Sequence, residues 1–383
     1  MVANGERKNG KNDRERPARL IDVARRAEVS RATAARALGG YGLVGDETRE
    51  RVVTAARELS YSANVVARAM RAGRTQTIGV VVADISNSFF SYAVRAMIDT
   101  AAKAGYHTLV LNTDDDLAKE ADAVRVLIEK RVDGLVVVPS SPSHYKHLAM
   151  DGELAKPLVL LDRRIKGLRV PTAYTDDRGG AGEAIELFLE RGHVHIGLLV
   201  ATAAARDGPQ KSEPEGVVST VQDRVGGALD ALAKQRASKP AIRYSRSSVE
   251  EARAGALELL AHKPRPTAIL ATNEEMALGV LSACDELGLA IGTDVSLVSF
   301  DDSPWAKVIA PAVSVIKRPV YELGNAAVAA LIREIRGEGK AGKIELPTEL
   351  IDRQSVANIR NRRGGNDQFE RARRNNSTAK HRR

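Results

Sequence analysis

Between Leu20 and Leu59 apolar residues return every three or four positions, in three short stretches broken by polar turns. That period predicts three helices. Ile21 to Ala27 and Arg31 to Leu38 are separated only by Glu28-Val29-Ser30, with Ser30 placed to cap the second. Leu20, Val23, Ala24 and Ala27 share one face of the first helix. Thr33, Ala34, Ala37 and Leu38 give the second a small-residue face, as closely crossing helices require. A third helix, opening at Asp46-Glu47 and running to about Leu59, turns Val52, Val53, Ala56 and Leu59 inward. Two helices joined by so tight a turn read as a helix-turn-helix, which lays its second helix in the major groove of DNA. The outward positions there are Arg31, Ala32, Ala35 and Arg36, and an arginine can bond guanine bidentately.

Asn64 to Met70 can form a capped helix of only about two turns before Gly73. Isolated helices that short are marginal in water, so this one is expected to form on contact with a partner. Arg68, Arg71 and Arg74 can reach phosphate, and Val65, Val66 and Met70 offer apolar surface to a base step.

From residue 77 the pattern alternates between apolar runs of strand length and helical stretches. IGVVVAD leads to a helix from Phe89 to Gly105, HTLVLN to one from Leu117 to Lys130, and GLVVVP and PLVLLD are further buried strands. A helix from Ala181 to Arg191, the strand IGLLV, a helix from Val225 to Lys234 and the strand AIRYS follow. Val249 to Ala261, AILAT, Glu275 to Leu287 and DVSLVSF continue the cycle. Such repeats imply parallel sheets covered on both faces, in numbers that suggest two successive α/β lobes. Ligands of these sheets sit beyond the carboxyl ends of the strands. Asp84, Asn87, Phe89-Phe90, Asp162-Arg163, Asn273-Glu274 and Asp301-Asp302 gather at such ends. Carboxylates and amides beside aromatics suit a polyhydroxylated molecule such as a sugar.

Charge sharpens the division. Of the net +9, residues 1–75 and 360–383 each carry +7, leaving −5 on the body between them. Basic ends around a mildly acidic body point to a polyanion at the ends and a different task in the middle. A membrane surface fits poorly, since neither end shows a bulky apolar helix face. No apolar run reaches bilayer length and no export signal opens the chain, so a cytoplasmic protein is expected. The single cysteine, Cys284, can make no internal disulfide.

The ordered motifs DVARRAEVSRATAARAL and ETRERVVTAARELSYSANVVARAMRAGRTQTIGVVVADISNSFF make the chain resemble the lactose and purine repressor family of bacterial transcription regulators, over roughly residues 17 to 358. The resemblance implies an all-α three-helix head with a short hinge helix, joined to a two-lobed, periplasmic-binding-protein-like α/β body. The corresponding segments are a basic disordered arm (1–16), the head (17–62), hinge and linker (63–75), an effector-binding and dimerisation body (76–358) and a basic disordered tail (359–383). It places Ser30, Arg31, Ala32, Thr33, Ala35 and Arg36 in the major groove. Asn64, Ala67, Arg68, Met70 and Arg71 fall at the hinge and minor groove, with Met70 where a leucine is usual and Ala63 where a proline is common. Asp84, Phe89, Phe90, Arg163, Arg224, Asn273 and Asp301 become effector contacts, and Glu274 stands where aspartate is usual. The partners implied are palindromic operator DNA, a second copy of the chain and a small polar effector, with no cofactor or metal.

An enzyme is disfavoured: there is no dinucleotide fingerprint, P-loop or nucleophile elbow. His193 and His195 flank a helix-to-strand turn without making a zinc site, and Asp114-Asp115-Asp116 read better as a solvated helix start than as a metal cluster. Residues 206–222, rich in glycine, proline and charge, read as a loop beside the cleft. Whether effector relieves or promotes repression is left open.

Overall fold

The computed structural model describes residues 18–39, 42–61, 74–150, 153–203 and 212–360. The hinge residues 64–71, the arm and the tail beyond Arg360 lie outside them, as does 206–211. The chain divides into two units at Thr75 and Gln76.

The first unit holds α1 (Leu20–Arg26), α2 (Arg31–Gly39) and α3 (Asp46–Glu58). Ser30 Oγ accepts from the Thr33 amide at 3.0 Å, capping α2. Val23, Ala24 and Ala27 of the first helical segment pack on Ala34, Ala37, Val52, Ala55 and Ala56. One inward position differs from the sequence expectation: Val53 is 39% exposed and Ala55 takes its place. Val52, Ala55, Ala56 and Leu59 keep the three-four spacing of one helical stripe, whereas Val53 lies about 100° around from Val52.

The second unit contains two sheets. In the first, the strands run in the order β13-β7-β6-β3-β1-β2, all parallel. They are β1 (Thr77–Val82), β2 (His107–Asn112), β3 (Gly134–Val137), β6 (Leu158–Leu161), β7 (Thr172–Thr175) and β13 (Lys343–Leu346). A small hairpin, β4 (Ala149–Met150) with β5 (Glu153–Leu154), lies between β3 and β6. Helices α4 (Ser88–Lys103) and α5 (Leu117–Glu129) follow β1 and β2.

The second sheet is ordered β14-β12-β11-β10-β8-β9. It comprises β8 (Ile196–Ala201), β9 (Ala241–Ser245), β10 (Ala268–Ala271), β11 (Ser296–Phe300), β12 (Ser314–Lys317) and β14 (Glu349–Ile351), the last antiparallel to its neighbour. Its helices are α6 (Asp177–Glu190), α7 (Ser219–Lys234), α8 (Val249–Leu260), α9 (Glu274–Glu286) and the single turn α10 (Trp305–Val308). Strands buried on both faces explain the unbroken apolar runs.

The chain passes between lobes three times: from β7 into α6, from β12 into α11 (Val320–Arg336), and from β13 into β14. Although α11 comes late in sequence, its Leu323, Ala327, Val328 and Leu331 complete the core of the first lobe beside Ile78, Val80 and Met97. The sequence pattern predicted none of β7, β12, α11, β13 or β14. It also opened α7 at Val225, whereas the helix begins six residues earlier, inside the stretch read as a loop. The crossovers are tied together, since Thr348 Oγ1 donates to the Asp176 carbonyl at 3.2 Å.

Candidate functional site

A cavity of about 580 Å³ opens beyond the carboxyl ends of the strands of both sheets. Asp84 follows β1, Asp114 and Asp115 follow β2, and Asp162 and Arg163 follow β6. From the second lobe come Thr202 after β8, Arg246 after β9, Asn273 after β10, Asp301 after β11 and Arg318 after β12. The seven effector contacts named from sequence, Asp84, Phe89, Phe90, Arg163, Arg224, Asn273 and Asp301, all line this cavity.

Its floor is a network of ions. The Arg318 guanidinium donates to both oxygens of Asp301, at 2.7 and 2.8 Å, and to Asp162 at 3.0 Å. Asp162 ends a first-lobe strand and Asp301 a second-lobe strand, each third from its sheet edge. Both hold positive φ, 66° and 72°, a conformation aspartate tolerates better than bulky residues. Arg224 donates through Nε to Asp177 at 2.7 Å and through a terminal nitrogen to the Thr272 carbonyl. Arg163 is paired with Asp115 and also donates to the Pro139 carbonyl at 3.2 Å. Burial pushes the Asp162 carboxyl above its ordinary range against the pull of Arg318. Burial opposes charge on Asp177 as well, but Arg224 and Arg318 outweigh it and hold that carboxyl low.

Aromatic faces complete the wall. Phe89 and Phe90 meet edge to face with centroids 5.1 Å apart. The Arg318 guanidinium lies 3.7 Å from the Phe89 ring centroid, and that of Arg224 lies 4.4 Å from Phe300. Asn273 has structural duties in addition: it caps α9 by accepting from the Met276 amide, and its Nδ2 donates to Ser247.

At the cavity rim the lobes are joined by polar bonds. Asn87 Nδ2 donates to Glu275 at 3.0 Å and Ser88 Oγ to Glu274 at 2.6 Å. Glu274 also accepts from Ser303 and from the Trp305 indole. On the α7 side, the Arg164 guanidinium is paired with Asp223.

In the head, Arg31, Ala32 and Arg36 are exposed on α2, while Thr33 and Ala35 are half-buried. The Ser30 hydroxyl is committed to capping and to Thr33 Oγ1, 2.9 Å away.

Comparison with known proteins covers both units. Residues 19–64 match the model described as bacterial regulatory proteins, lacI family, and residues 185–356 match a periplasmic binding protein-like domain. The ribose operon repressor of Halalkalibacterium halodurans is 30% identical over 338 residues, which are 88% of this chain and 96% of that protein. The chain belongs to the lacI family. The transcriptional repressor PurR of Proteus mirabilis is likewise 30% identical over 345 residues, 89% of this chain and 97% of its own. A crystal structure of the lac repressor dimer bound to operator and the anti-inducer ONPF superposes with a TM-score of 0.77 at 26% identity, covering 89% of this chain and all of that one.

As a lacI-family member the chain is a DNA-binding transcriptional regulator and not an enzyme. Among the described residues no helix is long and apolar enough to cross a membrane, and no cluster of His, Cys, Asp or Glu could hold a metal ion. Asp116 does cap α5, as a helix start should, but its neighbours Asp114 and Asp115 line the cavity. His193 is buried and bonded to Thr267, Ser296 and the Ala357 carbonyl, a structural role. Burial raises the Cys284 thiol to about 11, which leaves it unreactive.

Sequence reasoning missed Arg318 and Arg246. Both follow short strands, and the strand-end rule applied to AIRYS reaches Arg246 directly. Arg318 was hidden because SVIK, four residues between two proline-bearing turns, was not read as a strand.

Proposed function

We propose that this regulator is a repressor of carbohydrate uptake or catabolism genes, acting in the cytoplasm as a homodimer on palindromic operator DNA and controlled by a sugar or sugar derivative. The cavity carries the reading: carboxylates and arginines stand on every side of it, and the arginines of its floor are already matched to acids. A neutral polyhydroxylated ligand suits that balance, because each hydroxyl can donate to a carboxylate and accept from a guanidinium. Asp84, Phe89, Phe90, Arg163, Arg224, Asn273 and Asp301 are the proposed contacts, joined by Asp162, Arg246 and Arg318. On α2, Arg31 and Arg36 would read base edges, with Ser30, Ala32, Thr33 and Ala35 packed against the groove. The hinge contacts Asn64, Ala67, Arg68, Met70 and Arg71 belong to the same proposal.

A second reading is a corepressor-dependent regulator with a non-sugar effector, for which a planar nucleobase is the test case since the similarity extends to the repressor PurR. Against it, the Phe89 ring is already covered by Arg318 and offers less stacking surface to a flat base. Calorimetric titration of the whole protein with a panel of pentoses, hexoses and nucleobases decides between them. Saturable binding of a sugar, followed by altered retention of operator DNA selected from a random pool, is the expected result. Binding of nucleobases alone would overturn the sugar reading and leave the regulator intact.

A further inference from the structure

A second concavity, of about 1120 Å³, is formed by the loop between β6 and β7, the turn before β13 and the start of α7. Its lining includes Arg164, Lys166, Arg169, Lys340 and Lys343, and no aspartate or glutamate. Arg164 is paired with Asp223, and Lys340 with Glu334 at 3.5 Å. Lys166, Arg169 and Lys343 are exposed, and among the described residues none forms an ion pair. Ser219 and Gln222 of α7 add polar groups from the second lobe.

We infer that this groove is a second ligand site, distinct from the cleft, for a small molecule bearing two or more phosphate groups. Three uncompensated cations on one concave wall match an anion with several charges and several acceptor oxygens. A single carboxylate would leave two of them unmatched. The volume admits a phosphorylated sugar as well as an inorganic polyphosphate. Cations from the first lobe and polar groups from the second face the same space, and the Arg164 amide already donates to Ser219 Oγ at 2.9 Å. A ligand seated there therefore touches both lobes and favours the arrangement that brings them together.

The test is calorimetric titration of the full chain with inorganic pyrophosphate and, separately, with fructose bisphosphate, at constant near-physiological ionic strength. Lys166→Ala/Arg169→Ala/Lys343→Ala should weaken binding by about tenfold or more. A tail variant that removes equal charge, Arg371→Ala/Arg373→Ala/Arg374→Ala, should leave it unchanged. Binding of both probes, or of either alone, supports the site and tells inorganic from esterified phosphate. Three results overturn it: no saturable binding, equal binding by the groove variant, or loss confined to the tail variant. Displacement of the bisphosphate by a short DNA duplex through the same three residues would also overturn it, reassigning the groove to nucleic acid.

Discussion

Arg318 faces three carboxylates at once, Asp301, Asp162 and, at 3.7 Å, Asp177. Burial works against its charge, but attraction from Asp301, Asp177 and Asp162 outweighs that cost and holds its pKa above the ordinary arginine value. Removing the cation leaves buried acids uncompensated, the costly half of a broken buried pair. Arg318→Met is expected to lose about 3–5 kcal/mol in urea unfolding at neutral pH. In that variant Asp162, already raised by burial, loses the Arg318 charge that pulls it down. Its penalty is present above the folded pKa and absent below the unfolded one, so the deficit should narrow on acidification. The same sign applies to Glu275, whose carboxyl is raised chiefly by burial. Its charged form costs stability at neutral pH, and that cost vanishes once the pH falls below the unfolded carboxylate range. Glu275→Gln keeps an acceptor for Asn87 without the charge. It should raise the melting temperature at pH 7 and converge with the parent at low pH. A gain that persists in acid would mean that packing, and not charge, is responsible.

At the scale of elements, α6 and α7 lie so close that side-chain size decides whether they fit. A Cβ on Gly227 would stand 2.0 Å from the Arg178 carbonyl oxygen, which is backbone and cannot swing away. On Gly226 it would meet only the end of the Arg178 side chain, at 2.4 Å. Alanine favours a helix over glycine by up to about 1 kcal/mol. Gly226→Ala should therefore be neutral or stabilising, and Gly227→Ala should cost about 1–3 kcal/mol by overpacking. Thermal melts of the two variants check the contrast, and equal melting would show that the helices separate freely. What the sequence reveals follows the same logic of local against distant determination. The head was legible because each of its helices carries its own stripe and Ser30 caps the second, and of the third helix's inward residues only Val53 was misplaced. The strand ends that build the cavity were legible wherever a largely apolar stretch announced the strand, as IGVVVA does before Asp84 and VSLVSF before Asp301. Short strands such as SVIK carry too few residues to show a period. Helix α11 has a clear stripe at Leu323, Ala327 and Leu331, but its lobe is chosen by a crossover that no local pattern encodes. Arg318, which sits on that crossover, was lost with it.

On the scale of the whole molecule, two lobes meet around a cavity, and any ligand-controlled change must act through the balance between closed and open arrangements. Three crossovers and the Arg318 network join the lobes at the cavity floor, while Asn87–Glu275, Ser88–Glu274 and Arg164–Asp223 join them at its margins. A ligand shifts that balance only by the difference in its affinity for the two arrangements. The marginal bonds can therefore set effector affinity without touching the effector. Ser88 isolates this effect, because it does not line the cavity and Glu274 keeps Ser303 and Trp305 when the serine hydroxyl is removed. The bond is worth about 1 kcal/mol net, somewhat more with a charged acceptor. If the closed form is not already saturating, Ser88→Ala should weaken effector binding about five- to tenfold. The loss should fall on affinity alone, with the selectivity among sugars unchanged, since the contacts inside the cavity are the same. A cavity variant such as Asp84→Asn should change selectivity as well. Should Ser88→Ala leave affinity untouched, the closed arrangement is held by the Arg318 network, and the marginal bonds only report closure.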